Sequence, residues 1–232
     1  MRNKITILIL AIIYWQSSFA QTSQGATPAA AKQPGFFEYA RNERSTELLV
    51  TNYDRVDGSP FLSTEWAYAN ISLADNRKFD SIQVKLNLYE NRIHFKDEKG
   101  NEKMIPGNVK MVEINDITSK WNKAVFVSGY GENDREFYQV VTDGKKAGLL
   151  KKMKVFIKET RVINGTERKN FELQNILCIY SKDTLYVEKK NCLSMVEAFK
   201  NDPKIMAFIS ANDIKCNKEK DLAKLVDYYN SY

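Results

Sequence analysis

An α+β fold, a mainly antiparallel β-meander followed by about three short helices, is predicted by three features of the sequence. Apolar and polar residues alternate with period two from about Glu47 to Lys189, the links between these runs are too short for crossover helices, and the period turns helical after Asn191. A single sheet, a sandwich and a partly open barrel all satisfy this pattern.

The first residues read as an export signal. Met1-Arg2-Asn3-Lys4 is basic, Ile5 to Trp15 is almost wholly apolar, and Ser18-Phe19-Ala20 offers small residues for cleavage before Gln21. The apolar run is shorter than the roughly 20 residues of a membrane-spanning helix, so residues 1–20 are expected to be removed and no transmembrane segment to remain. Residues 21–35 have no bulky side chain to bury and read as a flexible leader.

Residues 36–190 form the expected β-rich domain. Ala69, Ile71 and Leu73 alternate with polar neighbours, Ala74-Asp75-Asn76-Arg77 makes a turn, and Ile82, Val84, Leu86 and Leu88 resume the alternation, so residues 68–89 read as a hairpin. Turns at Glu90-Asn91 and Asp97-Glu98-Lys99-Gly100-Asn101 lead to strands around Ile93 and Met104. Further strands are expected at Val109 to Ile114, Ala124 to Ser128, Glu136 to Thr142, Leu149 to Thr160, Glu172 to Tyr180 and Thr184 to Glu188.

Residues 191–232 form a helical segment packed on that domain. Leu193, Val196 and Phe199 suggest a first short helix. Asp202-Pro203 supplies an N-cap followed by Pro at the first helical position, ahead of Ile205, Phe208 and Ile209. Leu222, Leu225, Val226 and Tyr229 fall on one face of a third helix.

Composition narrows the chemistry. The chain has 232 residues, 43% of them hydrophobic, with 35 Lys+Arg against 29 Asp+Glu. That hydrophobic content is too high for a disordered chain, and three Cys are too few for a disulfide-framework scaffold. Loss of Arg2 and Lys4 with the signal lowers the net charge from +6 to +4. This small excess, without a stacking-aromatic motif, argues against nucleic-acid binding. In an oxidising compartment Cys192 and Cys216 are the candidate disulfide pair, while Cys178, inside the apolar run Ile176 to Tyr180, reads as a core thiol.

Catalytic templates are missing: there is no Gly-x-Ser-x-Gly elbow, His-Glu-x-x-His, Cys-x-x-Cys or Gly-rich phosphate loop. The one His, His94, excludes multi-His metal sites and reads as a solvent-facing strand residue. No cofactor is expected. Paired carboxylates stay open as a rival chemistry, with Glu132, Asp134 and Glu136 in one loop and Asp54 and Asp57 in another. Lysines concentrate at Lys145, Lys146, Lys151, Lys152, Lys154 and Lys158, and alternation puts Lys152, Lys154 and Lys158 on one strand face as a candidate contact for an anionic surface. The plainer use of such lysines is to guard an edge strand against aggregation.

Three segments carry a resemblance: Gly58-Ser59-Pro60-Phe61-Leu62, the run Phe137 to Gly144 followed by Leu149-Leu150-Lys151-Lys152, and the ending Glu219 to Asn230. Together they resemble a group of uncharacterised exported proteins of the Bacteroidota. The resemblance implies a periplasmic or cell-envelope location and no catalytic residues. The expected function is that of an exported, non-enzymatic binding or interaction module, periplasmic or secreted, with an envelope protein, lipid or glycan as partner. The alternatives are a carboxylate-dependent glycan hydrolase and a small-ligand carrier with a cavity between sheet and helices.

Overall fold

The computed structural model describes residues 34–43, 53, 55–131, 134–161, 165, 167–187 and 193–232. The signal-type run 1–20, most of the leader, Asp54, Glu132 and Cys192 lie outside the described residues.

Alternation builds a first meander as expected. Strands β2 (Ala67–Leu73), β3 (Lys78–Asn87), β4 (Arg92–Lys96) and β5 (Glu102–Met104) pair antiparallel in sequence order. Their inward residues Ala69, Ile71, Ile82, Val84, Ile93 and Phe95 are all at most 3% exposed. A second meander follows, with β6 (Val109–Ile114), β7 (Val125–Val127), β8 (Tyr138–Thr142), β9 (Gly148–Arg161) and β10 (Glu167–Ser181), and β11 (Thr184–Val187) folds back on β10. Strand β6 pairs with β2, which joins the two meanders into one sheet.

This return dictates curvature. Strands β5 and β6 stand four positions apart in the sheet, about 19 Å if it were flat. Residues 105–108 between them reach about 18 Å at full extension, and Gly107 sits in a turn at φ 76°. The first meander therefore curls, and Ile105 and Val109 at either end of the link are buried in its hollow.

A helix absent from the sequence reading fills that hollow. Helix α1 (Pro34–Asn42) begins inside the stretch assigned to the flexible leader and opens the region expected to be β-rich. Its spacing explains the correction: Phe36, Tyr39 and Ala40 lie at i, i+3 and i+4 and are all buried. The Phe36 ring meets Phe79 at 5.1 Å and Phe95 at 5.0 Å, and the Tyr39 hydroxyl donates to the Pro106 carbonyl at 2.6 Å.

A second element also escaped prediction. Strand β1 (Val56–Asp57) pairs parallel with β10 at Lys169 and Asn170, the exception to the antiparallel pattern. Six residues on, Leu62 N–H donates to the Leu86 carbonyl and Leu88 N–H to the Pro60 carbonyl. The strap 56–62 thus ties β10 to the end of β3, strands far apart in the sheet order.

The C-terminal helices α2 (Leu193–Glu197), α3 (Pro203–Ala211) and α4 (Glu219–Asn230) match the sequence reading. Asp202 caps α3 by accepting from the Lys204 N–H at 2.8 Å, with Pro203 in the first turn. Leu222, Leu225 and Val226 are fully buried. They pack with Leu149, Leu177, Ile179, Met195, Phe199 and Ile205, whereas Ile82, Val84, Leu86 and Leu88 belong to a separate cluster around α1. A third, smaller cluster of Tyr138, Leu150 and Cys178 lies apart from both, and α4 rests on β8 and β9.

Candidate functional site

A groove of about 680 Å³ opens where the β8–β9 turn, the β10–β11 turn and the C-terminal end of α4 converge. Each wall has a local cause. The turn 143–147 is held by Asn230 near the end of α4, whose Oδ1 accepts from the Lys146 N–H at 2.9 Å and the Ala147 N–H at 3.2 Å. Its Nδ2 donates to the Ala147 and Val226 carbonyls. A Cβ on Gly144 would collide with this side chain, so the close approach requires glycine. The opposite turn is a two-residue hairpin in which Lys182 and Asp183 have φ of 50° and 61° between paired Ser181 and Thr184. This is the backbone twist that suits tight hairpins, adopted here without the usual Asn or Gly.

Four tyrosines line the space: Tyr130, Tyr180, Tyr229 and Tyr232. Tyr130 and Tyr180 meet edge to face at 4.6 Å, and the Tyr180 hydroxyl donates to Asp183 at 2.8 Å. The Tyr232 ring lies between Lys146 and Lys204, whose Nζ atoms are 4.5 and 4.7 Å from its centroid. Its hydroxyl donates to Asp202 at 3.0 Å. Partial burial, followed by this bond and the Asp202 charge, pushes the Tyr232 pKa up to about 12. Burial likewise raises Tyr130, and the bond to Asp183 raises Tyr180. At neutral pH all three phenols keep their protons and present ring faces and hydroxyls.

That shift has a measurable sign. Unfolded tyrosine loses its proton near pH 10 and folded Tyr232 near 12, so the folded chain gains stability below pH 10 that fades as pH climbs through 12. Phenolate absorbance during alkaline titration, compared with Tyr232→Phe, should show one late-titrating tyrosine missing from the variant. An unchanged late phase in the variant would contradict this assignment.

The cations and acids of the groove are unevenly engaged. Asp202 accepts from Tyr232 and the Lys204 N–H, Asp183 from Tyr180, and Asp143 from the Gly144 N–H at 2.9 Å. Lys145 and Lys182 have no carboxylate within ion-pair distance among the described residues. Lys182 stands beside Lys200 on the α2–α3 turn, and the like-charge contact lowers its pKa below the ordinary lysine value.

The lysines singled out in the sequence divide between two places. Lys145 and Lys146 line the groove. Lys152, Lys154 and Lys158 do share a face of β9, but Lys152 pairs with Glu136 at 2.6 Å and Lys158 with Glu172 at 2.8 Å. Strand β9 lies between β8 and β10, so the edge-guarding use does not apply there. Of the candidate acids, Glu136 is held by Lys152 and the Tyr138 hydroxyl, and Asp57 is on β1. Asp134 borders a space of only about 20 Å³, while Asp54 and Glu132 lie outside the described residues.

His94 is 2% exposed, not solvent-facing, because the strap brings the Phe61 ring over it at 5.0 Å. Its Nδ1 lies 2.7 Å from Glu102 Oε1, and its Nε2 has no partner among the described residues. Cys178 is the fully buried thiol expected, its Sγ 3.8 Å from the Ile176 carbonyl. Cys216 is buried with the helical core, and Cys192 lies outside the described residues.

No helix among the described residues is long and apolar enough to cross a membrane. The chain matches no known protein family, no curated protein and no solved structure.

Proposed function

We propose that this protein is an exported, non-enzymatic binding module of the cell envelope that takes its ligand in the tyrosine–lysine groove. The carrying observation is the groove itself, a space of about 680 Å³ lined by four tyrosines and by Lys145, Lys146 and Lys182. Ring faces, neutral phenols and ammonium groups make a surface for a polar ligand with flat apolar faces. Export is supported by the basic and apolar character of residues 1–20.

The test is a titration of the isotope-labelled chain with a soluble envelope polysaccharide extract, followed by amide chemical shifts. The amides of 143–148 and 180–183 are expected to move. Shifts confined to other parts of the chain, or none at all, would overturn this reading.

Export also bears on the cysteines, and a bridge between Cys192 and Cys216 forms part of this proposal. It is supported by the clustering of Cys216 with Met195, three residues beyond Cys192. Closing that 24-residue separation stabilises the fold by about 3 kcal/mol on the loop-entropy account. Peptide mapping without reduction should recover Cys192 and Cys216 in one linked species, and reduction should lower the unfolding midpoint. Free thiols at both positions would remove the bridge.

A further inference from the structure

We propose that a second site lies between α1 and the β4–β5 turn, where a small aromatic carboxylate sets its acid group on Arg41 and Lys99 and its ring on Phe37. The site shares no residue with the tyrosine–lysine groove and does not depend on it.

The first argument is shape. A cavity of about 270 Å³ opens between α1 and the turn 97–101. Phe37, Ala40 and Phe95 make its apolar wall; Ala40 and Phe95 are buried, and Phe37 is half-buried against the same cluster. An apolar cavity of about 150 Å³ is enough for a benzene ring, so this space takes a single ring or a fused pair with a polar end. The polar wall is fixed, because Asp97 holds its own turn. Its Oδ1 accepts from the Lys99 N–H at 2.9 Å and the Asn101 N–H at 2.8 Å. Its Oδ2 accepts from Asn101 Nδ2 at 3.1 Å and lies 3.3 Å from Lys103 Nζ.

The second argument is charge. The cations lining the cavity are Arg41, Lys99 and Lys103, and the acids are Asp97 and Glu98. Asp97 is engaged by Lys103 and its own turn, and Glu98 by Arg41 Nη1 at 2.6 Å. Lys99 has no carboxylate within ion-pair distance among the described residues, so a positive charge is left over. Both side chains of the Arg41–Glu98 pair are more than half exposed, and such a pair holds weakly. Glu98 can turn to solvent as a carboxylate arrives, and the guanidinium has further N–H groups to offer it. A plain inorganic anion would use the cations and leave the apolar wall idle. A neutral ring would use the wall and leave Lys99 without a counter-charge.

Amide chemical-shift titration of the isotope-labelled full chain with 2-naphthoate, naphthalene-2-carboxamide and inorganic phosphate separates these cases. Naphthoate is expected to move the amides of 37–43 and 97–103 and to bind at least about tenfold more tightly than the carboxamide or phosphate, with affinity falling as salt rises. By touching both walls it should also slow hydrogen exchange in α1. Arg41→Gln with Lys99→Gln should bring naphthoate down to the affinity of the carboxamide while leaving carboxamide binding as it was, a pattern that mere loosening of α1 would not produce. Equal binding of acid and carboxamide to the native chain would overturn the charged seat and with it the proposal. Phosphate binding as tightly as naphthoate would reduce the site to a plain anion site and overturn the aromatic ligand. Naphthoate shifts confined to the tyrosine–lysine groove, or no shifts with any probe, would overturn the site itself.

Discussion

Phe36→Ala is expected to destabilise the protein by about 3–5 kcal/mol, the range for removing a large aromatic from a packed interior. Phe36 is fully buried and touches four other rings: Phe37, Tyr39, Phe79 and Phe95. It is the anchor by which a nine-residue helix holds its place, and helices this short have little stability of their own. The loss should therefore fall toward the upper end of that range, because α1 can leave the hollow and expose Ile71, Val84 and Ile105. Urea unfolding would measure the drop, and limited proteolysis should show new cleavage near residues 34–43. A change below about 1 kcal/mol with α1 still protected would mean that the hollow is filled without it.

Asn230→Ala is the second large effect, about 2–4 kcal/mol. One side chain satisfies three backbone groups of the 146–147 segment and one of its own helix. Ala147 is 3% exposed, so its N–H and carbonyl would be left without partners away from water. Asn230→Asp should lose less, keeping the acceptor while placing a charge near the Ala147 carbonyl. Gly144→Ala should be costly in the native chain and much less so once Asn230 is Ala, since the clash is with that side chain. A double-mutant cycle on thermal unfolding checks this, and strict additivity would show that Gly144 matters for another reason.

How far the sequence carried differs by region, for physical reasons. Strands β2 to β11 and the three C-terminal helices were legible because a half-buried strand or helix stamps its period on the chain. Helix α1 was not: two and a half turns that include Gly35 carry too little periodic signal, and its burial comes from the hollow that the rest of the chain makes. Strand β1 has two residues, and its parallel partner lies more than a hundred residues away. His94 was misplaced because alternation tells which face a side chain takes and cannot tell that Phe61 arrives to cover it. The groove was hidden for the same reason. Tyr130, Lys146, Lys182 and Tyr232 come from four separate segments; Lys145 and Lys146 had stood out as members of a lysine cluster, and Asp202 and Tyr229 only as parts of helices.

The hairpin of β9 and β10 joins the two larger hydrophobic clusters. Met153 and Val155 belong to the cluster around α1, and Leu149, Leu177 and Ile179 to the one beneath the C-terminal helices. A spine shared in this way makes local opening unequal along the chain. Its central amides open only when both halves let go, so their hydrogen exchange should track global unfolding, while α1 and α4 each exchange through their own smaller openings. Ligand held at one end of the spine would then slow exchange at the other, far from any atom it touches.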